Sequence, residues 1–177
     1  MTFLPANYEA PVSEGNYYKL KKGDNTFRIL SDAITGFEYW NLSNKPVRSV
    51  EPWEEMPADI KPDSRVRHFW AFVVYNYDAK KPQILEITQK TIQEALEALV
   101  NNKKWGDPRK YDVVIKATGD GLEREYTVIP EPHTEAPNVS VSQINLGALF
   151  LGEDPFSSKA EPDSYPTNEL RAGDVPF

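Results

Sequence analysis

Arg65, Arg67, Phe69, Tyr75 and Tyr77 alternate along one aromatic, β-branched run, 65–77, with Val66, His68, Trp70, Phe72 and Val74 between them. In an extended strand successive side chains leave on opposite faces, so an unbroken strand sorts these two sets onto two sides. The second set is the more apolar and is the expected core side. The first set combines guanidinium groups with aromatic rings. That combination suits an unpaired nucleic-acid strand, because cations neutralise phosphates and flat rings accept unstacked bases at about 1–3 kcal/mol each. The competing arrangement buries Phe69 and Tyr75 and pairs the arginines with Glu51, Glu54 or Glu55, since a single bulge exchanges the two faces.

A second basic and aromatic group comprises Trp40, Lys45, Arg48 and Trp53. Trp40 is expected in the core. Trp53 is expected to be exposed for recognition, because its loop offers little to bury it. The full set expected to follow phosphates is Arg28, Lys45, Arg48, Arg65 and Arg67, and bases are expected to stack on some of Tyr39, Trp53, Phe69, Tyr75 and Tyr77. Lys103, Lys104 and Trp105 follow a helix end, where cations suit the dipole, so Trp105 is expected to pack structurally.

Catalytic signals are missing from this inventory. The chain has no GxSxG, no P-loop glycine–lysine pair and no paired-histidine metal motif. Cysteine is absent, which excludes disulfides and thiolate metal sites, and His68 and His133 are the sole imidazoles. His68 lies in the apolar strand and is expected to be a satisfied histidine and not a base. No enzyme, cofactor or metal is expected.

The elements that must position these residues are mostly strands. The run 65–77 reads as a long strand, 78–82 as a turn and 83–88 as the returning arm of a hairpin. Thr91 and Glu94 have capping-box spacing, and Ile92, Leu96, Leu99 and Val100 recur on one helical face, so a helix is expected there. Shorter strands are expected at 16–20, 25–30, 36–41 and 46–50, and a second hairpin at 111–116 and 124–129. Between them, 51–64 carries Pro52, Pro57 and Pro62 with Glu51, Glu54, Glu55 and Asp59, which forbids regular structure. Fifteen prolines and nine glycines in 177 residues fit such a chain. The pattern implies a mainly β protein: a small OB-fold-like β-barrel with one inserted helix.

Charge divides the chain. Residues 1–130 carry 18 Lys and Arg against 19 Asp and Glu, and residues 131–177 carry 2 against 8, so most of the formal −7 belongs to the C-terminal quarter. The expected organisation is a body over 1–130 and an acidic, largely flexible tail over 131–177, with a short apolar helix near 142–151. The N-terminus lacks a signal-peptide pattern, and the longest apolar run, 69–75, is too short to span a bilayer, so a soluble chain is expected. One small repeat stands out: Gly152-Glu153-Asp154-Pro155-Phe156 and Gly173-Asp174-Val175-Pro176-Phe177 both read glycine, acid, any residue, proline, phenylalanine. Asp174, Val175, Pro176 and Phe177 offer an aromatic wedge and an anion, suited to a small pocket with a basic rim.

The stretches 17–30, 68–77 and 84–92 resemble bacteriophage and prophage single-stranded DNA-binding proteins of replication, over most of residues 3–130. Residues 173–177 are similar to the acidic, phenylalanine-ended tip of bacterial single-strand binding proteins. The resemblance implies an OB fold, sequence-non-specific binding of single strands in replication or recombination, and a tip that recruits replication partners. Self-association and the cytoplasm of a bacterial host go with it. The tail would compete for the DNA groove when DNA is absent. The sequence departs from a simple five-stranded fold by an extra strand at 83–88. A rival reading from another class is a protein-binding adaptor, a β-barrel that never touches nucleic acid; an RNA-binding role is a nearer variant.

Overall fold

The structure, a computed structural model, describes residue 3 and residues 15–157. Its strands are β1 (Gly23–Ile29), β2 (Ile34–Trp40), β3 (Pro46–Ser49), β4 (Arg67–Asn76), β5 (Lys81–Ile87), β6 (Tyr111–Thr118) and β7 (Glu125–His133), with helix α1 (Lys90–Asn101) between β5 and β6. All seven strands join one antiparallel sheet in the order β3-β2-β4-β1-β6-β7, with β5 on the other edge of β4. The mainly β expectation with one helix therefore holds. Among the described residues no ladder joins β7 to β3 or β5, so the sheet is open.

β4, the aromatic run, is the central strand. β1 and β2 lie in succession along one of its edges: Ile29 faces Val74 and Ile34 faces Ala71, so residues 30–33 span only Phe72 and Val73. Two extra residues force a bend, as a bulge does. The bend is tied by Leu30 N–H to Val73 O at 2.8 Å and by Val73 N–H to Ser31 Oγ at 2.8 Å. The curl brings β7 against α1.

Both faces of β4 are covered, each by a different part of the chain. On one side Trp70, Phe72 and Val74 join Phe27, Ile29, Leu85, Ile87, Val113 and Ile115 under Ile92 and Leu96 of α1. This is the side that alternation assigns to the core. On the other, Phe69 and Ala71 join Ile34, Ile84 and Leu149, with Ile144, Leu146, Phe150 and Phe156 packed against them. The covering segment contains a 3-10 helix, Leu146–Leu151, in place of the expected α-helix over 142–151, and it ends at Gly152 with φ +70°. β7 continues to His133, past the expected body limit at 130, and residues 144–156 pack on the sheet.

Two local expectations change. The capping box does not form: α1 starts at Lys90, the capping position is Gln89, and Glu94 lies 3.8 Å from Lys90 instead. The first turn is held from within by buried Gln93, whose amide donates to Ile87 O (2.9 Å) and His68 O (3.2 Å). The strand expected at 16–20 is reduced to one parallel bridge, Tyr17 to Ile84.

Gly36 of β2 is where the second layer approaches most closely. A Cβ there would lie 2.5 Å from Ser49 O and 2.9 Å from a ring carbon of Phe150. Ser49 O belongs to the paired strand and cannot give way cheaply. Gly36→Ala is therefore expected to cost about 1–3 kcal/mol by overpacking, read from urea unfolding; a change within about 0.5 kcal/mol would show that β3 and Phe150 yield freely.

Candidate nucleic-acid interface

β2 sets the geometry of the site. Its pleat sends Phe37 and Tyr39 to one side and Gly36, Glu38 and Trp40 to the other. Across the sheet Glu38 faces Arg48 of β3 and Arg67 of β4, and Phe37 faces His68. Trp40, expected in the core, is 43% exposed instead. It ends β2 beyond the reach of the covering segment, and its backbone is held by Ser64 Oγ (3.1 Å) and Lys61 N–H (2.8 Å). Lys45 lies in the adjoining turn and Arg65 just before β4. Lys45, Arg65 and Arg67 are exposed and form no ion pair among the described residues. The expected competitors Glu51, Glu54 and Glu55 are exposed as well and do not engage them.

Beside this group lies an aromatic strip on the other side of β2. The Phe37 and His68 rings are 5.1 Å apart, and Tyr39 meets Trp53 edge to face at 4.9 Å. The 51–64 loop delivers Trp53 because it is tied down: Leu42 N–H bonds Asp59 O at 2.8 Å, and Asn41 bridges Ile60. Tyr39 itself is buried, with its hydroxyl donating to Asp59 Oδ1 at 2.7 Å, so it supports Trp53 and presents little face of its own. Burial, then the hydrogen bond to Asp59, pushes its pKa up. His68 Nε2 accepts from Trp70 Nε1–H at 3.3 Å, which leaves Nδ1–H to donate to Gly36 O at 2.8 Å. Both ring nitrogens are thereby engaged in the neutral form, as expected of a satisfied histidine.

Three expected contacts are withdrawn into the fold. Arg28 is fully buried: Nε meets Asp112 Oδ1 at 2.8 Å, and its other nitrogens reach Arg109 O and both oxygens of Thr134. It staples β1 to β6 and to the chain after β7, and no phosphate can reach it. Phe69 is also fully buried, under Phe150 at 5.9 Å and the Arg48 guanidinium at 5.7 Å. Arg48 is committed to Glu86 (2.9 Å) and Glu38 (3.3 Å), with 9% of its side chain exposed. Tyr75 and Tyr77 are half-buried and meet edge to face at 5.2 Å; the Tyr77 hydroxyl donates to Asp112 Oδ1 at 2.6 Å. Burial and then Asp112 push the Tyr77 pKa up to about 12. Tyr75 is eight residues along β4 from Arg67, about 27 Å at the usual rise. The expected set thus divides between the two ends of the strand.

The buried Glu38–Arg48–Glu86 cluster holds two carboxylates for one guanidinium. Glu38 Oε2, Arg48 Nε and Glu86 Oε1 lack hydrogen-bond partners, because the 3.3 Å approach of Nε to Oε2 is an ion pair without hydrogen-bond alignment. A proton on Glu38 satisfies one of these atoms by bonding Glu86. Burial, then Glu86, raises the Glu38 pKa to about 8, against an ordinary 4.5. The folded chain therefore keeps a proton that the unfolded chain has released. The contribution of Glu38 to stability is expected to fall as pH rises from about 4.5 to about 8 and to change no further above that. Glu38→Gln is expected to flatten this slope, as read from urea midpoints across that range; an unchanged slope would assign it to another group.

A recess of about 340 Å³ lies between α1, the β1–β2 bend and the turn before β6, floored by Trp70, Phe72 and Leu96. Its rim guanidinium, Arg109, is held by Asp32 (2.7 Å) and Asp107 (3.0 Å) and is not available as the open cations are. Trp105 packs against Tyr111 at 5.4 Å, in keeping with its expected structural role. Among the described residues no helix is long and apolar enough to cross a membrane. Asp174, Val175, Pro176 and Phe177 lie outside the described residues. Comparison with protein-family models, with curated proteins and with solved structures finds no match.

What sequence reasoning missed is Trp40, Phe37 and His68 as surface groups. The signal was present in the alternation of β2, but it becomes readable only once the partner strands on each side are known.

Proposed function

We propose that this chain binds single-stranded DNA without sequence preference, at the end of the sheet formed by β2, β3 and the first half of β4. The observation that supports this reading is that Lys45, Arg65 and Arg67, exposed and without an ion pair among the described residues, lie on the turn and strand segments that adjoin the exposed Trp40 in the sheet. Phosphates follow the three cations and bases stack on Trp40; the Trp53 edge of the aromatic strip, with Phe37 and His68, lies on the opposite face and is engaged where the strand wraps around the end of the sheet. Stacking is tolerant of sequence because every base has a π-face. Arg28, Arg48 and Phe69 serve the fold in this reading. The strongly bent antiparallel sheet suits the OB-type surface that the sequence resembles, and Asp174, Val175, Pro176 and Phe177 are assigned to replication partners in the host cytoplasm.

The test is tryptophan fluorescence during titration with oligo-dT at low and moderate salt. Quenching is expected, weakening with salt by a slope of about −0.7 per phosphate neutralised, and it should vanish in a Trp40→Phe/Trp53→Phe chain because Trp70 is buried and Trp105 is half-buried against Tyr111. A ribose strand in parallel separates DNA from RNA binding. No quenching at low salt transfers the function to protein binding by an adaptor.

A further inference from the structure

Two carboxylates share one guanidinium beside the cations assigned to phosphate. Arg48 lies 3.3 Å from Glu38 and 2.9 Å from Glu86 and is always cationic. The cluster is therefore neutral while Glu38 carries a proton and holds one net negative charge once that proton is lost. Glu38 Oε2 and Glu86 Oε1 have no donor, and a proton between the carboxylates supplies one. Glu38 and Arg48 each keep only 9% of their side chains exposed, so salt screens a charge placed there poorly. Strand register sets this charge next to the binding surface. Exposed Arg67 is the partner of Glu38 across the β2–β4 ladder, with Cβ atoms about 4.5–5.5 Å apart on one side of the sheet. Trp40 follows Glu38 by two residues on that same side of β2, about 7 Å further on. Charged and titratable groups reach the cluster from each packed element: Arg48 from β3, Arg67 from β4, Glu86 from β5 and Tyr17 from the chain before β1. Tyr17 also lies near Asp154 of the covering segment, and burial pushes its pKa up and keeps it neutral.

We propose that a single strand bound at this surface draws a proton onto the Glu38–Glu86 pair, so that affinity for DNA falls as the pair ionises. This linkage presupposes the DNA surface proposed above and adds regulation to it. A phosphate held by Arg67 is a further negative charge beside Glu38, and it makes the ionised cluster less favourable still. Linkage is reciprocal: the factor by which DNA raises the proton affinity of Glu38 is the factor by which the proton raises the affinity for DNA. Two unit charges about 10 Å apart, at an effective dielectric between those of a protein surface and of water, couple by on the order of 5-fold. The cations themselves cannot produce this change, because guanidinium groups do not titrate.

The test is the affinity of the full chain for oligo-dT at fixed salt from about pH 7 to about pH 9, either side of the pH near 8 at which Glu38 ionises. Affinity should fall on the order of 5-fold across that range. Titration calorimetry near pH 8, in two buffers of different ionisation enthalpy, should show net proton uptake on binding. Glu38→Gln and Glu86→Gln each remove the surplus carboxylate and leave Arg48 one partner. Both should bind oligo-dT with neither the fall nor the uptake. The calorimetry needs the parent chain alone, so it decides the matter even where a variant does not fold. No fall in the parent, proton release in place of uptake, or a fall that persists in either variant overturns the proposal. Binding that ignores pH overturns this linkage alone, whereas no binding at either pH overturns the proposed function and the linkage with it.

Discussion

An Arg28→Met chain is expected to lose about 3–5 kcal/mol of stability, the cost of breaking a buried ion pair by removing one partner. Methionine keeps much of the stem volume but none of the five donors. Asp112 keeps the Tyr77 hydroxyl yet loses its cation, and the carbonyls of Arg109 and Thr134 lose a donor. Each orphaned buried acceptor costs about 1–3 kcal/mol. Arg28→Lys should recover only part, because one ammonium cannot span acceptors arranged for a planar fork. Urea unfolding at unchanged m-value measures both. The salt dependence of DNA binding, taken on folded protein, should not move, since Arg28 is fully buried. A stability loss below about 1 kcal/mol, or a reduced salt slope, would return Arg28 to the binding surface.

Arg28 also marks where reading the sequence stops. Its neighbours Phe27 and Ile29 share one face by alternation, a local property of a strand, and both join the core cluster. The partners that bury Arg28 are Asp112, 84 residues away, and Thr134, 106 residues away, and nothing local announces them. The same reasoning explains β4. Its parity was readable, and Trp70, Phe72 and Val74 do face the helix side. The other face was expected to be open because a sheet with one polar-looking face is usually solvated there. It is covered by residues 144–156, a stretch with no strand period and only a short 3-10 turn, whose packing depends on tertiary contact and not on propensity. Arg48 and Phe69 moved inside together for that reason. Arg65 and Arg67 escaped because the cover ends before the first residues of β4. The aromatic strip shows the converse: Trp53 looked exposed because its loop is polar and proline-rich, yet Asp59 and Ile60 fasten that loop to β2 and set the ring edge on Tyr39.

The open cations and the open ring should leave different marks on binding. Removing Arg65 and Arg67 together, as Arg65→Ser/Arg67→Ser, is expected to reduce the salt slope by about 1.4, at 0.7 per phosphate on a single strand. Affinity for oligo-dT should then fall on the order of 10- to 100-fold at 50 mM salt and little near 1 M, because released counterions carry the effect. Trp40→Ala should weaken binding by about 1–3 kcal/mol at every salt concentration, with the slope unchanged, since stacking releases no counterions. Both changes lie on exposed side chains without ion pairs among the described residues, so unfolding free energy should stay within about 0.5 kcal/mol of the parent. A common loss of affinity with no change of slope in the double arginine variant would mean that these guanidinium groups do not meet phosphate. The cluster around Trp40 would then have to recognise its ligand by shape or by hydrogen bonding, which is the chemistry of a protein partner and not of a uniform polyanion.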